Sequence, residues 1–197
     1  MKEPSARSVT SASSKDLADS ELLARVRLGD RAAFHELYVK YYHPLLRFIY
    51  RITKQLEAAQ EGVNDVMLVV WSNAGAFEGK SRVSTWMLGI AYRKALKLRQ
   101  RSKRWWERFK SEEVTDADEL SAQPEEHIGD LQELLEKAMR ALPVKQRIVV
   151  ELTYFYGYSY EEIAAIVECP VNTVKTRMFH ARARLKVLLP ALAKDEP

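Results

Sequence analysis

Apolar side chains recur at intervals of three and four along most of the chain. Phe34, Leu37, Tyr41, Leu45, Phe48 and Ile52 trace one helical face, and Pro44 is expected to divide it into two helices. Val63, Val66 and Val70 continue the period in a further helix. On that helix Glu57, Glu61 and Asp65 lie four apart, so their carboxylates share a face. Ser84 to Arg101 reads as the next helix, with Trp86, Ile90 and Leu98 turned inward. These segments predict a first helical domain over residues 17–105.

After a stretch with few large apolar residues, at 106–130, the period resumes. Leu131, Leu134, Leu135, Ala138 and Leu142 predict a helix stopped by Pro143. Ile148, Val149, Leu152 and Phe155 predict another, ending near Gly157. Ser159 and Glu162, in "SYEE", have capping-box spacing and open a third, to about Val167. "ECPVN" follows as a tight turn, and a last helix starts near Pro170 or Val171, where a missing N–H costs nothing. Two short helices joined by such a turn form a helix-turn-helix. The predicted fold is therefore all-α: two small helical domains joined by a flexible acidic linker, the second domain spanning 131–192 and ending in the helix-turn-helix.

Composition agrees. Seven Gly and seven Pro among 197 residues are few, and Leu, Ala, Lys, Arg and Glu dominate, which favours helices over sheets. The Ser-rich start, "MKEPSARSVTSASSK", lacks the apolar core of a signal sequence and predicts a disordered tail over 1–16. The single cysteine, Cys169, has no partner for an internal disulfide, and no Cys and His cluster has metal-ligand spacing. A cytoplasmic protein without metal or cofactor, and without membrane insertion, is expected.

Charge is segregated. Residues 93–110 hold nine Lys or Arg against the single acid Glu107, whereas residues 112–136 hold ten Asp or Glu and no Lys or Arg. Residues 171–186 again carry five basic side chains and no acid. Two basic surfaces separated by an acidic linker suit a polyanionic partner, although charge runs often mark no more than a solvated face. In the last helix Val174, Met178, Ala181 and Leu185 are expected to be buried, leaving Thr173, Lys175, Thr176, Arg177, His180 and Arg184 on the other face. A helix of this kind fits the major groove, with base edges near its N-terminus and phosphates met by later Arg or Lys.

Two stretches suggest enzymes and fail. "GAFEGKS", residues 75–81, ends like a phosphate loop, yet Gly75 and Gly79 enclose three residues where four are needed, and a helix rather than a strand is expected before it. "HELYV" begins like a zinc protease motif, yet Val39 stands where the second histidine belongs. No enzymatic activity is expected.

With these residues set out, "GYSYEEIAAIVECPVNTVKTRMFHARARL" resembles the promoter-reading helix-turn-helix of bacterial sigma factors of the extracytoplasmic-function group, within the sigma-70 family. "GDRAAFHELYVKYYHPLLRF", "AAQEGVNDVMLVVW" and "FEGKSRVSTWMLGIAYRKAL" resemble the first domain of the same family, so the likeness covers nearly all of 17–189. It implies a subunit that binds core RNA polymerase, places its first domain on the minus-ten promoter element and its second on the minus-thirty-five element, and helps to melt DNA. It further implies an anti-sigma factor or other regulator as a partner.

Residue by residue, the resemblance places Phe77 in a pocket for a base extruded from the minus-ten strand, with Lys80, Ser81 and Arg82 at its rim. Arg93, Lys97 and Arg101 would run beside the melted strand. Glu61, Asn64 and Asp65 fall where the family docks on the beta-prime clamp helices. Lys175, Thr176, Phe179 and His180 fall on minus-thirty-five reading positions, with Arg177 and Arg184 on phosphates. Phe77 and Phe179 have core positions as their alternative.

Several positions depart from the family pattern. Ala-Glu-Asp-x-x-Gln is here Ala59-Gln60-Glu61-Gly62-Val63-Asn64, with a helix-weakening Gly62. Arg93 replaces an Asn, His180 a common Arg, and Asn172 a common Gly whose turn geometry Asn tolerates. The competing reading is a free-standing helix-turn-helix regulator that does not engage polymerase.

Overall fold

A computed structural model describes residues 7–109 and 130–192, with side chains described for 16–102 and 133–191. Among the described residues there are eight α-helices, one 3-10 turn and no strand. They are α1 (Arg7–Arg27), α2 (Arg31–Thr53), α3 (Leu56–Asn73), the turn Ala74–Ala76, α4 (Val83–Phe109), α5 (Asp130–Arg140), α6 (Val144–Tyr154), α7 (Tyr160–Val167) and α8 (Val171–Leu192). The chain divides into two compact units: the first runs through α1–α3 to Arg101 of α4 and also takes in Ala165–Glu168, and the second holds Ser102 onward except for those four residues. Most of the expected linker, 110–129, lies outside the described residues.

In the first unit α1 packs on α2, and α2 on α3. Leu37, Leu45, Phe48, Ile49 and Ile52 of α2 are buried with Val63, Val66 and Val70 of α3, as the sequence period requires. Pro44 does not split this segment. It sits inside one continuous helix and removes one bond, to the Lys40 carbonyl. That loss costs ~3 kcal/mol, whereas burying each large apolar side chain on either side of it contributes ~1.5–3 kcal/mol. The stripe outweighs the break. Asp30 caps α2, its Oδ1 accepting from Ala32 N–H at 2.9 Å and Ala33 N–H at 3.1 Å. The Ala33 bond and then the Arg25 guanidinium hold the Asp30 carboxyl below the usual carboxylate range.

α1 begins at Arg7, inside the stretch expected to be a tail. Leu23 and Val26 bury its inner face, and Asp19 anchors it: this nearly buried carboxylate pairs with Lys40 and accepts from the Tyr41 hydroxyl at 2.6 Å. A Ser-rich composition concealed a helix whose hold on the fold is made further along, by these three apolar and acidic positions.

Gly62 has a packing role. A Cβ built there would stand 3.0 Å from Ile49 Cγ2 and 3.1 Å from Leu98 Cδ1, so a glycine lets α3 approach α2 and α4 closely. Gly62→Ala gains about 1 kcal/mol of helix propensity against that crowding and is expected to be nearly neutral. Gly62→Leu overfills the seam and is expected to cost ~1–3 kcal/mol, read as a lower midpoint in urea. An unchanged midpoint would show that the seam yields freely.

In the second unit α5 and α6 each pack on α8. Leu134, Ala138 and Leu142 of α5, Ile148, Val149 and Leu152 of α6, and Val174, Met178 and Ala181 of α8 are buried. Leu185 is half-buried. Two side chains expected in the core are not there: Leu135 and Phe155 are exposed. Phe155 is the C-cap of α6, its backbone still helical and its N–H donating to the Glu151 carbonyl at 2.9 Å, so it continues the helical face at the point where that face runs out of the core.

The capping box forms as expected, with Ser159 N–H donating to Glu162 Oε2 at 2.9 Å and Glu162 N–H to Ser159 Oγ at 3.2 Å. The turn after α7 is made by Glu168, at φ 49°, not by Asn172. Cys169 N–H then donates back to the Ala164 carbonyl at 3.1 Å, and the Pro170 carbonyl accepts from Thr173 N–H at 2.8 Å to start α8. Asn172 is an ordinary helical residue.

Candidate nucleic-acid interface

The α8 surface opposite Val174, Met178 and Ala181 carries Asn172, Lys175, Thr176, Phe179 and His180, all exposed, with exposed Arg184 and half-buried Thr173 and Arg177 on one flank. Phe179 is 70% exposed, which answers the choice left open by its sequence: it is no part of the core. Its ring meets the edge of His180, centroids 5.5 Å apart at 71°. The Thr176 hydroxyl donates to the Asn172 carbonyl at 2.9 Å. Its one proton is thereby engaged, so toward a base edge Thr176 offers lone pairs, and an amino donor such as cytosine N4 or adenine N6 suits it. Arg182 is turned to the Tyr154 hydroxyl at 2.6 Å and braces α8 against the end of α6.

In the first unit, the loop 77–82 connects the 3-10 turn to α4. Helix α3 and this turn precede it, where a phosphate loop requires a strand, and Gly79 at φ 70° shapes a turn with nothing within 4 Å of its would-be Cβ. "GAFEGKS" is a connecting loop. Phe77 and Trp86 are half-buried, their ring centroids 5.5 Å apart and their planes tilted by 56°, so Trp86, expected to turn inward, supports Phe77 from the start of α4. Lys80 is exposed and pairs with Glu78, while Ser81 and Arg82 are half-buried at the loop's end. Arg93, Lys97 and Arg101 are exposed and recur every four residues, forming one cationic row along α4.

Glu61 and Asp65 are less free than their sequence suggests. Arg101 donates to both Glu61 carboxylate oxygens, at 3.0 and 3.3 Å, and Lys94 pairs with Asp65 at 3.0 Å. Asn64 accepts from the Tyr38 hydroxyl at 3.3 Å, next to Tyr42 and to Phe34, which packs edge-on against Trp71. Sequence reasoning missed these partners because they lie 26 to 40 residues away. Since all these charged groups are at least a third exposed, each pair contributes ~0–1 kcal/mol. A polyanion or a competing cation can therefore exchange with them at little cost.

Among the described residues no His, Cys, Asp and Glu group could hold a metal ion, and no helix is long and apolar enough to cross a membrane.

A helix-turn-helix with an exposed polar and basic reading face, on one chain with a helical bundle bearing a cationic row and an aromatic loop, defines a two-unit DNA-binding protein. Residues 37–107 match the family model for sigma-70 region 2, and residues 132–185 that for sigma-70 region 4. The chain is 31% identical to the RNA polymerase sigma-H factor of Pseudomonas aeruginosa, over 90% of this chain and 96% of that relative. It is 33% identical to the extracytoplasmic-function sigma factor SigM of Mycobacterium tuberculosis, over 87% and 85%. Among solved structures, the sigma factor RpoE of Bartonella quintana, in complex with the anti-sigma factor NepR, superposes with TM-score 0.62 at 25% identity, over 83% of this chain and 98% of that one. CnrH, in complex with the cytosolic domain of CnrY, shares the fold with TM-score 0.64 at 23% identity, over 88% and 98%. The chain belongs to the extracytoplasmic-function sigma factors of the sigma-70 family. The match to region 2 leaves no support for a free-standing regulator.

Proposed function

We propose that this protein binds core RNA polymerase and directs promoter-specific initiation, reading the minus-ten element with α1–α4 and the minus-thirty-five element with α8. The observation that carries this is the order of the two regions on one chain, together with the exposed reading face of α8. The protein supplies no catalytic residues of its own; phosphodiester chemistry belongs to the polymerase. It acts in the cytoplasm, where the nucleoid and polymerase are.

In the minus-ten unit, Phe77 backed by Trp86 offers an aromatic wall to an extruded base, with Lys80, Ser81 and Arg82 at the rim. Base stacking on such a wall is worth ~1–3 kcal/mol, comparable to the few kcal/mol that extrusion costs. Arg93, Lys97 and Arg101 attract the strand irrespective of sequence. Glu61, Asn64 and Asp65 present the surface for the beta-prime clamp helices, where acidic side chains steer a basic partner. An anti-sigma factor is the expected regulator, as NepR is the partner of the RpoE relative.

Because a basic partner can displace Arg101 from Glu61 and Lys94 from Asp65 at little cost, Glu61→Ala with Asp65→Ala tests the docking surface directly. Fluorescence anisotropy of labelled protein titrated with core polymerase is expected to show at least a fivefold weaker affinity, roughly 1 kcal/mol, shrinking as salt rises. Equal affinity for the parent and the double variant would remove α3 from the docking surface.

A further inference from the structure

The base-reading row of α8 has one more member than its sequence resemblance supplies. At 100° per residue, Asn172, Thr176 and Phe179 fall within roughly 60° of one another, on the side of the helix opposite Val174, Met178 and Ala181. Lys175 and His180 flank them. Asn172 is thus near the centre of the row, about 6 Å along the axis from Thr176, a distance of order two base-pair steps.

Three observations separate this residue from a turn-maker. Its backbone is helical, and the left-handed position of the helix-turn-helix is taken by Glu168. Its side chain is exposed. Its carbonyl accepts from Thr176, while among the described residues its side-chain amide has no hydrogen-bond partner. An exposed, unengaged carboxamide in the first turn of a reading helix has one donor and one acceptor side by side, the pair that matches adenine N6 and N7 in the major groove.

We propose that Asn172 is a specificity-determining residue of this sigma factor, selecting adenine at one position of the minus-thirty-five element. The inference rests on α8 being the minus-thirty-five reader. The Thr176 hydroxyl, by holding the Asn172 carbonyl, keeps the first turn regular, with Thr176's lone pairs left for a base about two steps away. A glycine in this place reads nothing, so the adenine preference is a property that this chain adds.

The test uses holoenzyme assembled from bacterial core polymerase and the full chain. It transcribes a library of one active promoter with its minus-thirty-five element randomised, and sequencing of the transcripts gives a preference at each position. The parent protein is expected to prefer adenine at one position. Asn172→Ala is expected to lower that preference about tenfold and leave the other positions unchanged. Asn172→Asp, which only accepts, is expected to shift the same position toward cytosine through its N4 amino group. This shift is a change of preference that no folding defect produces.

Lys175→Ala, run alongside, separates the two levels of failure. If it alters the preferences and both Asn172 variants leave them as in the parent, Asn172 does not read a base and the proposal is overturned while α8 remains the reader. If none of the three variants changes any preference, α8 is not the reader and both readings fall.

Discussion

Lys175→Ala is expected to weaken promoter-selective binding by roughly 5- to 150-fold, the ~1–3 kcal/mol of one base contact, while leaving binding to random duplex nearly intact. Lys175 is exposed at the edge of the reading row, within the first turns of α8, where a side chain reaches guanine O6 or N7. Arg184 is exposed about two and a half turns further on, and on the proposed reading it meets a backbone phosphate instead of a base edge. Arg184→Ala is therefore expected to weaken specific and random duplex alike and to reduce the slope of log affinity against log salt by about one. Filter binding of holoenzyme to a promoter fragment and to a scrambled fragment, over a salt series, separates the two. Identical losses on the two fragments for both variants would end the division between base and phosphate contacts.

Loosening of α1 is the second large effect. Asp19→Ala removes a carboxylate that is nearly buried, leaves the Tyr41 hydroxyl without its acceptor, and frees Lys40 to solvent. A buried hydrogen bond to a charged group contributes ~1.5–3 kcal/mol, and Lys40 recovers part of its loss by hydration because it is 42% exposed. A net cost of about 2–3 kcal/mol follows, or roughly 10–20 °C in the melting temperature of a unit of this size. Asp19→Asn retains an acceptor for Tyr41 and is expected to lose less. Hydrogen exchange of peptides from α1 and α2, in the full chain, reads this without requiring the two units to melt together. Exchange as slow in Asp19→Ala as in the parent would show that the apolar contacts of Leu23 and Val26 hold α1 by themselves.

Local chemistry made much of this architecture legible beforehand. Apolar period alone placed α2, α3 and α6, and the Ser159 and Glu162 pair marked the start of α7 because a capping box is decided within four residues. Pro44 misled for the converse reason: a proline's cost is local, whereas the burial that overrides it is set by α1 and α3 packing on α2. In the segment before Asp16 the Ser-rich composition masked a helix, whose anchorage depends on Asp19 meeting Lys40 and Tyr41 across the interface.

The candidate interface divides in the same way. Lys175 and His180 were readable as exposed from the period of Val174, Met178 and Ala181, whereas Phe179 could have been core and is decided only by its exposure in the fold. The place of Asn172 in that row had no local signal, because its residue type suits a turn, while the residue that takes the left-handed backbone, Glu168, is neither Gly nor Asn. The pairing of Glu61 with Arg101 and Asp65 with Lys94 had no local signal, since only the folding of α4 against α3 brings those charges together. One consequence is functional. Arg101 belongs by resemblance to the DNA-facing row and Glu61 to the polymerase-facing surface, and in the free protein each occupies the other.

The most direct test of promoter-directing function is multi-round transcription of fragmented genomic DNA by purified bacterial core polymerase, with and without this protein, mapping every RNA start. New starts that share two upstream motifs at fixed spacing are the expected result. Core polymerase that binds the protein yet opens no new start, or a set of new starts without a shared minus-thirty-five motif, would contradict it.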